Sequence, residues 1–368
     1  MGFKCGIVGL PNVGKSTLFN ALISGYKVNS GNYPFCTIQP NTGNISVPDK
    51  RLEKISTIAK SKKMIPTQIE FVDIAGIVRG ASNGEGLGNQ FLSYIRNVDA
   101  IVYVVRCFYN KDIIHVESSV DPIRDTEIIE TELILRDIET LNKQMKNIIK
   151  KASHDKYFAN QLVMINSILK VLDAGQPARV IVDKNNEESI KALNLLTSKP
   201  FFYICNVDEK SIANGNVLSN LIKQKAIRQN STSINLSIQI EEEISSLESQ
   251  KEKEEFLVDL GLNESALNKV IRVAYQILNL NTYFTAGPEE TRAWTYVKGT
   301  NAQKAAGIIH TDFSNGFICA EVISCNDYIK YSGERQAKEA GKLNQEGRNY
   351  IVQDGDIILF RFNISKSK

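Results

Sequence analysis

The chain has few histidines and no closely spaced cysteines, which argues against several kinds of metal and redox chemistry. Only three histidines occur in 368 residues. The six cysteines form no Cys-x-x-Cys pair and lie at positions 5, 36, 107, 205, 319 and 325. Such scatter in a chain of this size is typical of reduced thiols. We therefore expect neither a zinc site nor a disulfide framework, and we favour a small buried residue over a redox centre at Cys36.

Long apolar runs and a strong charge of one sign are also absent. No stretch approaches the roughly 20 apolar residues that a membrane span requires. The early apolar residues 5–10 run into a glycine-rich loop rather than a signal-peptide cleavage site. We therefore predict a cytoplasmic location and no membrane partner. The net charge of +3 is too small to indicate a nucleic-acid partner by itself.

Alternating strands and helices in the first part of the chain predict an α/β domain with a mostly parallel sheet wrapped by helices. A helix is expected to start at Lys15 and to reach residue 23. The predicted buried strands are residues 3–8, 69–73, 100–105 and 201–206.

A long helical insert separates the last two of these strands. Apolar residues step by four and three along two runs, namely Ile134, Ile138, Leu141, Met145 and Ile148, then Phe158, Leu162, Ile165, Leu169 and Leu172. This spacing predicts a coiled-coil hairpin projecting from the α/β domain. Its basic stretch is either a solvated face or a nucleic-acid contact, and comprises Lys143, Lys146, Lys150, Lys151 and Lys156.

Residues 241–280 are again predicted to be helical, and after them the sequence pattern changes. Short predicted strands at 317–322 and 357–362 are separated by glycine turns, which indicates a small α+β domain. The predicted domains are therefore the α/β domain at 1–122 and 199–282, which the motifs below identify as a nucleotide domain, the helical insert at 123–198, and a C-terminal domain at 283–366.

A phosphate-binding loop is the strongest motif. Residues 9–16 (GLPNVGKS) fit G-x-x-x-x-G-K-[ST] between a strand and a helix. Its glycines let backbone N–H groups face phosphates, Lys15 supplies a positive charge, and Ser16 offers a hydroxyl to Mg²⁺. The predicted nucleotide contacts in this loop are Asn12, Val13, Gly14, Lys15, Ser16 and Thr17.

A second motif, residues 73–76 (DIAG), closes a buried strand further along. Asp73 is expected to reach Mg²⁺, and the Gly76 N–H to approach the γ-phosphate. Five glycines between 76 and 88 suggest a loop that changes shape with the γ-phosphate. Thr37 is the favoured third Mg²⁺ ligand, with Thr42 as the competitor.

The base-recognition motif departs from that of guanine-specific enzymes. Their N-K-x-D is replaced by Asn206-Val207-Asp208-Glu209. This sequence lacks the lysine that covers the flat face of the base, and it lacks the final aspartate. Strict guanine selection is therefore not expected. Backbone groups near Val207 are candidates for reading adenine, and the loop containing Leu236 and Ser237 for packing on the base.

Together these segments resemble the YchF-type Obg-like ATPases, a branch of the translation-factor class of P-loop GTPases. The resemblance rests on GLPNVGKST at 9–17, NYPFCT at 32–37, DIAG at 73–76, GEGLG at 84–88 and NVDE at 206–209. YFTAGP at 283–288, RAWT at 292–295 and GRNYIV at 347–352 look like that family's TGS domain. The resemblance implies a β-grasp fold for this domain, a preference for ATP, and association with ribosomes in translation or stress regulation. We expect the large subunit, with ribosomal RNA contacted by the basic insert and the TGS domain.

The usual catalytic glutamine after D-x-x-G is replaced by Ile77, which cannot orient water. His115 is the candidate that the resemblance supplies, with a structural role at the base of the insert as the alternative. Lys15 and Gly76 complete the predicted catalytic set. Asn12 is another candidate beside His115, because in related enzymes the matching asparagine helps hold a K⁺ ion between the phosphates. The resemblance thus implies K⁺ in addition to the expected Mg²⁺ cofactor.

Three functions remain open from the sequence. The leading one is an ATPase switch acting on ribosomes. The others are a GTP-specific enzyme, and a ribosome or RNA adaptor in which the nucleotide only stabilises the shape.

Overall fold

The computed structural model describes residues 2–26, 42–74, 95–152, 155–247 and 249–363. The strands are β1 (Phe3–Val8), β2 (Thr42–Ser46), β3 (Lys63–Ile65), β4 (Gln68–Asp73), β5 (Ala100–Arg106), β6 (Phe201–Asn206), β7 (Ser233–Leu236), β8 (Leu280–Ala286), β9 (Glu290–Val297), β10 (Phe317–Ser324), β11 (Asn344–Glu346) and β12 (Asp356–Phe362). The helices are α1 (Lys15–Tyr26), α2 (Lys50–Ala59), α3 (Pro122–Ala152), α4 (Lys156–Asp173), α5 (Glu187–Ala192), α6 (Val217–Arg228), α7 (Ile238–Ser246), α8 (Gln250–Asp259), α9 (Ala266–Ile277), α10 (Ala302–Ile309), α11 (Thr311–Asn315), α12 (Cys325–Lys330) and α13 (Glu334–Glu339). Among the helices so described, none is both long and apolar enough to cross a membrane.

The chain forms two compact units that alternate along the sequence. The first comprises Met1–Ile45 and Glu70–Val270, and the second comprises Ser46–Ile69 and Ile271–Lys368. Among the described residues, each unit contains its own six-stranded sheet.

The sheet of the first unit has the strand order β2-β4-β1-β5-β6-β7. Strands β1, β5, β6 and β7 pair in parallel. Strands β5 and β6 are buried along their whole length, because their near-continuous apolar sequence suits a sheet that is covered on both faces. The four predicted strands and the predicted start of α1 are confirmed.

The helical insert is built on α3 and α4, which pack against each other. All ten residues of the predicted apolar seam lie in one hydrophobic cluster or pack against it. Leu141 and Ile165 are fully buried at its centre. The periodicity therefore predicted the contact surface of both helices correctly.

The predicted helical stretch 241–280 is three helices, α7, α8 and α9, rather than one continuous run. Ser249 begins α8 with a capping box that it forms with Glu252, and Gly261 follows that helix in a left-handed conformation with φ 67°. Leu280 itself starts β8. The end of the prediction was therefore wrong by three residues, because the chain passes quickly from α9 into the second sheet.

The second unit is a mixed sheet with the order β11-β10-β12-β8-β9-β3. Strands β8 and β9 are antiparallel, whereas β8 and β12 are parallel. Tyr283 packs with the alanines of α10, and its neighbour Phe284 packs with Leu52 of α2. Successive strand residues point to opposite faces, so α10 covers one face of the sheet and α2 the other.

Residues 46–69 are the main departure from the predicted domain plan, which included them in the nucleotide domain. Strand β3 pairs in parallel with β9, and Arg51 forms an ion pair with Asp354 at 2.7 Å. Leu52 and Ile55 are buried in the cluster that lines the second sheet. The segment therefore folds as part of the second unit, because its apolar residues are buried there. The finer boundaries at 123–198 and 283–366 stay predictions.

Candidate functional site

The phosphate-binding loop connects the end of β1 to the start of α1. A side chain at Gly9 would place Cβ 2.7 Å from the Val104 carbonyl oxygen, which belongs to the neighbouring strand. Gly14 has φ +100°, and a Cβ there would lie 2.7 Å from Ile238. Both positions therefore require glycine, one for close packing and the other for its backbone conformation.

Lys15 is buried at the first position of α1, with 8% of its surface exposed. Burial lowers the pKa of its ammonium group, and the negative charge of Asp73 partly offsets this effect. A buried cation at a helix N-terminus favours an anion such as a phosphate group.

Ser16 and Asp73 meet, as the predicted Mg²⁺ site requires. The Ser16 hydroxyl donates to Asp73 Oδ2 at 2.8 Å. Asp73 Oδ1 is buried and has no hydrogen-bond partner among the described residues. A hydroxyl and an orphaned carboxylate oxygen are the hard oxygen ligands that Mg²⁺ prefers. The residues present therefore fit this ion.

Few protein ligands surround this pair. Within the described ranges, no group of three or more His, Cys, Asp or Glu residues is placed to hold a metal. Mg²⁺ in nucleotide sites is usually bound through one or two protein groups, with phosphates and waters as the other ligands. The sparse donor set is thus consistent with an ion that arrives with a nucleotide.

Several predicted site residues lie outside the described residues. They are Thr37, Gly76, Ile77, Cys36 and the glycines that follow at 80–88. The competing threonine, Thr42, is the first residue of β2. Thr17 follows Ser16 within α1.

Asn206 joins three parts of the site at the end of β6. Its Nδ2 donates to the Val13 carbonyl at 3.0 Å, and its Oδ1 accepts from the Ile238 N–H at 3.2 Å. The asparagine therefore braces the phosphate loop against the start of α7. Sequence reasoning assigned it to the base motif and did not identify Ile238, because a backbone amide carries no sequence signal.

The predicted base-reading residues cluster at the ends of β6 and β7. The Val207 N–H donates to the Leu236 carbonyl at 2.9 Å, so this amide does not face a ligand. The side chains of Val207 and Leu236 are 1% and 0% exposed. Ser237 is the N-cap residue of α7, whereas Glu209 is exposed at the start of a short 3-10 turn.

His115 is buried, and both of its ring nitrogens are engaged. Nε2 lies 2.8 Å from Asp125 Oδ2, and Nδ1 accepts from the Glu117 N–H at 3.1 Å. Because Nδ1 accepts, Nε2 carries the hydrogen that Asp125 receives. In this conformation the contacts of His115 fit a structural role at the base of the insert, which was the alternative to a catalytic role. Asp125 was not identified from the sequence, since it is one of many acidic residues on a helix.

Asn12 is an exposed residue of the phosphate loop with φ 60°. Its Nδ2 donates to the Ile114 carbonyl at 3.2 Å. The loop is therefore tied to the segment that precedes His115, and the amide oxygen of Asn12 remains the atom suited to a cation.

Comparison with known proteins connects these motifs to one family. Residues 4–155 match the family model described as "50S ribosome-binding GTPase". Residues 280–363 match the YchF-GTPase_C model, whose description is "protein of unknown function".

Full-length relatives extend this match over the whole chain. The chain is 52% identical over 366 residues to the "Ribosome-binding ATPase YchF" of Haemophilus ducreyi, covering 99% of this chain and 100% of that protein. The protein of the same name from Bacillus subtilis is 48% identical over 368 residues, with the same coverage. A solved structure of the Schizosaccharomyces pombe YchF GTPase matches with a TM-score of 0.86 and 38% identity, covering 98% of both chains. The chain therefore belongs to the YchF family of P-loop nucleotide hydrolases.

Proposed function

We propose that this protein is a ribosome-associated, Mg²⁺-dependent ATPase that hydrolyses ATP to ADP and phosphate and thereby changes its affinity for the ribosome. The observation that carries the proposal is the Ser16–Asp73 contact beside the buried Lys15. These residues supply a cation for phosphates and two oxygens for Mg²⁺. The bacterial relatives of matching length bear the name "Ribosome-binding ATPase", which supports the same activity here.

The residues predicted to contact the phosphates and the cations receive the following roles in this proposal. Lys15 binds the β- and γ-phosphates, and Ser16, Asp73 and Thr37 hold Mg²⁺. Gly76 donates its N–H to the γ-phosphate. When bound, Mg²⁺ neutralises charge that develops on the phosphate oxygens. Asn12 is proposed to hold K⁺ through its amide oxygen.

Water positioning is assigned to His115, on the condition that the ring is released from one partner. In the described conformation Asp125 and the Glu117 N–H occupy both nitrogens. A rearrangement of the segment around residue 115 would therefore have to precede catalysis. Histidine suits this task because its ordinary pKa lies near neutrality.

The distinction between ATP and GTP rests on residues 206–209. A buried Val207 stands where guanine-specific enzymes have lysine, and Glu209 replaces their aspartate. The alternative is a GTP-specific enzyme, and the related Schizosaccharomyces pombe protein is called a GTPase.

The remaining parts of the chain are proposed to contact the ribosome. We assign residues 123–198 to a coiled-coil hairpin and 283–366 to a TGS domain. The order β9-β8-β12-β10 with α10 after the first hairpin supports a β-grasp fold for the latter. Lys143, Lys146 and Lys156 are exposed and, with Lys150 and Lys151, supply positive charge for ribosomal RNA of the large subunit. A cytoplasmic location follows from this partner.

Calorimetric titration of nucleotide-free protein with ATP, GTP and their non-hydrolysable analogues in Mg²⁺ tests the nucleotide. We expect ATP to bind at least about tenfold more tightly, a difference of about 1.4 kcal/mol. A clear preference for GTP would favour the alternative enzyme and leave the phosphate-site argument intact.

Sedimentation with purified ribosomes tests the switch. We expect binding to differ between a non-hydrolysable ATP analogue and ADP, and Lys15→Ala to abolish the difference. Nucleotide-independent binding by both proteins would instead favour an adaptor. The charge-neutralising pair Lys143→Gln and Lys146→Gln should weaken sedimentation while leaving ATP affinity unchanged.

A further inference from the structure

Arg106 is a buried cation at the end of β5, with 1% of its surface exposed. Its guanidinium donates to three backbone carbonyls of the residues that follow. Nε reaches Phe108 at 3.2 Å, Nη1 reaches Ile113 at 2.9 Å, and Nη2 reaches Asn110 at 2.9 Å. The guanidinium also lies over the Phe108 ring, 4.8 Å from its centre. One side chain thus holds the segment 107–114, which we call the clasped segment.

Carbonyl groups, rather than a carboxylate, compensate this charge. Asp125 is the carboxylate that influences Arg106, but it is hydrogen-bonded to His115 and paired with Arg124. Burial lowers the pKa of Arg106 and Asp125 opposes the shift, yet a guanidinium stays protonated in proteins. Burying a charge is costly unless every donor is well placed, so the geometry of the three carbonyls is tightly specified.

The clasped segment has little apolar burial to hold its shape. Tyr109 is 77% exposed and Ile114 is 79% exposed. The Cys107 N–H donates to the Asn206 carbonyl at 2.8 Å, which fixes the start of the segment to β6. Asn216 Nδ2 adds a bond to the Cys107 carbonyl at 2.7 Å. From Phe108 to Ile113, the bonds from other elements to the backbone that the structure describes all come from Arg106.

The far end of the clasped segment adjoins the phosphate loop. The Ile114 carbonyl accepts from Asn12, and His115 follows immediately. A shift of the carbonyls held by Arg106 would therefore move the partner of Asn12. Small displacements of groups that position a ligand produce large losses of binding or rate.

We propose that Arg106 is a positioning residue of the nucleotide site, which acts through the clasped segment on Asn12 and on the placement of His115. In this proposal Arg106 acts through the three carbonyls that it binds, and not by direct contact with nucleotide or metal. The inference rests on the proposed function for the identity of the ligand, since it assumes that the phosphate loop binds a nucleotide.

The test compares Arg106→Lys with a matched control, Arg179→Lys. Arg179 is also largely buried, pairs with Glu130, and lies 4.2 Å over the Phe201 ring, but it contacts no residue of the phosphate loop or of the clasped segment that the structure describes. Lysine keeps the charge of either residue but cannot reach several acceptors at once. We expect Mg-ATP affinity to fall about tenfold in Arg106→Lys and less than about twofold in the control.

Two further measurements separate positioning from general stability. The N–H groups of Glu117 and Ser118 are bonded to His115, and in Arg106→Lys their hydrogen exchange should accelerate at least about tenfold while exchange in β1 is unchanged. In a double-mutant cycle with Asn12→Ala, the losses of ATP affinity should be non-additive, because both changes break one connection.

Equal thermal destabilisation of both lysine variants with undiminished ATP affinity would overturn the inference, as would fully additive losses in the cycle. If Arg106→Lys does not fold, Phe108→Leu keeps the arginine and removes the ring beneath it. The same local exchange increase is then expected, and its absence would equally overturn the inference. A wild-type chain that binds neither ATP nor GTP would refute the proposed function; normal wild-type binding with an unaffected Arg106→Lys would refute the inference alone.

Discussion

At the scale of single residues, Asn206 is the side chain that connects the phosphate loop to the start of α7. It offers one donor and one acceptor, and each has a buried partner, the first in the phosphate loop and the second at the start of α7. An asparagine suits this position because its two ends have opposite hydrogen-bonding character. Aspartate has the same shape but only acceptors at neutral pH. Asn206→Asp, which replaces the amide nitrogen with an oxygen, therefore tests whether Asn206 braces the phosphate loop.

We expect Asn206→Asp to weaken Mg-ATP binding at least about tenfold and to lower the free energy of unfolding by about 1–3 kcal/mol. The new oxygen would face the Val13 carbonyl, and two acceptors in a buried site repel each other. Calorimetric titration and urea unfolding measure the two effects.

The matched control is Asn186→Asp in the helical insert. Asn186 makes the same pair of bonds, donating to the Ile181 carbonyl and accepting from the Asp183 N–H. It should lose stability without losing ATP affinity. If both variants bind ATP like the wild type, Asn206 does not brace the phosphate loop.

The sequence was informative about residues in short motifs and uninformative about their partners. The contact between Ser16 and Asp73 and the position of Lys15 at the start of α1 could be predicted, because the motifs fix these spacings. Their roles in binding phosphate and Mg²⁺ stay predictions. Ile238, Asp125 and the carbonyls bound by Arg106 could not be predicted, since those contacts depend on backbone positions that only the folded chain defines. The engagement of His115 is invisible in sequence for the same reason.

At the scale of secondary structure elements, local periodicity predicted what it physically determines. The seam of α3 and α4 is correct because burial along a helix repeats every three or four residues. The strands of the first sheet are correct because buried parallel strands are continuously apolar. Strand β3 was missed, since it has three residues of which Lys63 and Met64 are exposed.

The seam gives a prediction about the insert. Leu141 is fully buried between α3 and α4, whereas Leu135 on the same helix is 45% exposed. We expect Leu141→Ala to lower the free energy of unfolding by about 2–5 kcal/mol, and Leu135→Ala to change it by less than about 0.5 kcal/mol. Urea denaturation followed by circular dichroism provides the measurement.

ATP affinity is the control measurement for Leu141→Ala and Leu135→Ala. Leu141 lies in the core of the helical insert and not in the predicted phosphate or base site, so ATP affinity should stay within about twofold of the wild type in both variants. Equal destabilisation by the two substitutions would mean that α3 is not packed through the predicted seam.

At the scale of the whole molecule, the two units are interleaved along the chain. Residues 46–69 leave the first sheet after β2, contribute α2 and β3 to the second unit, and return through β4, which ends at Asp73. Sequence reasoning drew the boundary near residue 283 because composition changes there. A contribution from a distant segment cannot be detected by composition, since it depends on long-range pairing with β9.

Hydrogen exchange under increasing denaturant tests whether residues 46–69 unfold with the second unit, as in the structure, or with the nucleotide domain, as the sequence predicted. If α2 belongs to the second unit, its amides and those of β9 should share one opening free energy, because cooperative units open together. Leu52 is 2% exposed in the cluster beneath the second sheet, so Leu52→Ala should lower that shared value by about 2–5 kcal/mol. Met64→Ala, at a residue 48% exposed on β3, is the control and should have little effect.

Protection of β1 and β5 should not change in either variant. An equal loss of protection in β1 would instead mean that the chain unfolds as a single cooperative unit, with residues 46–69 no more closely bound to the second sheet than to the first.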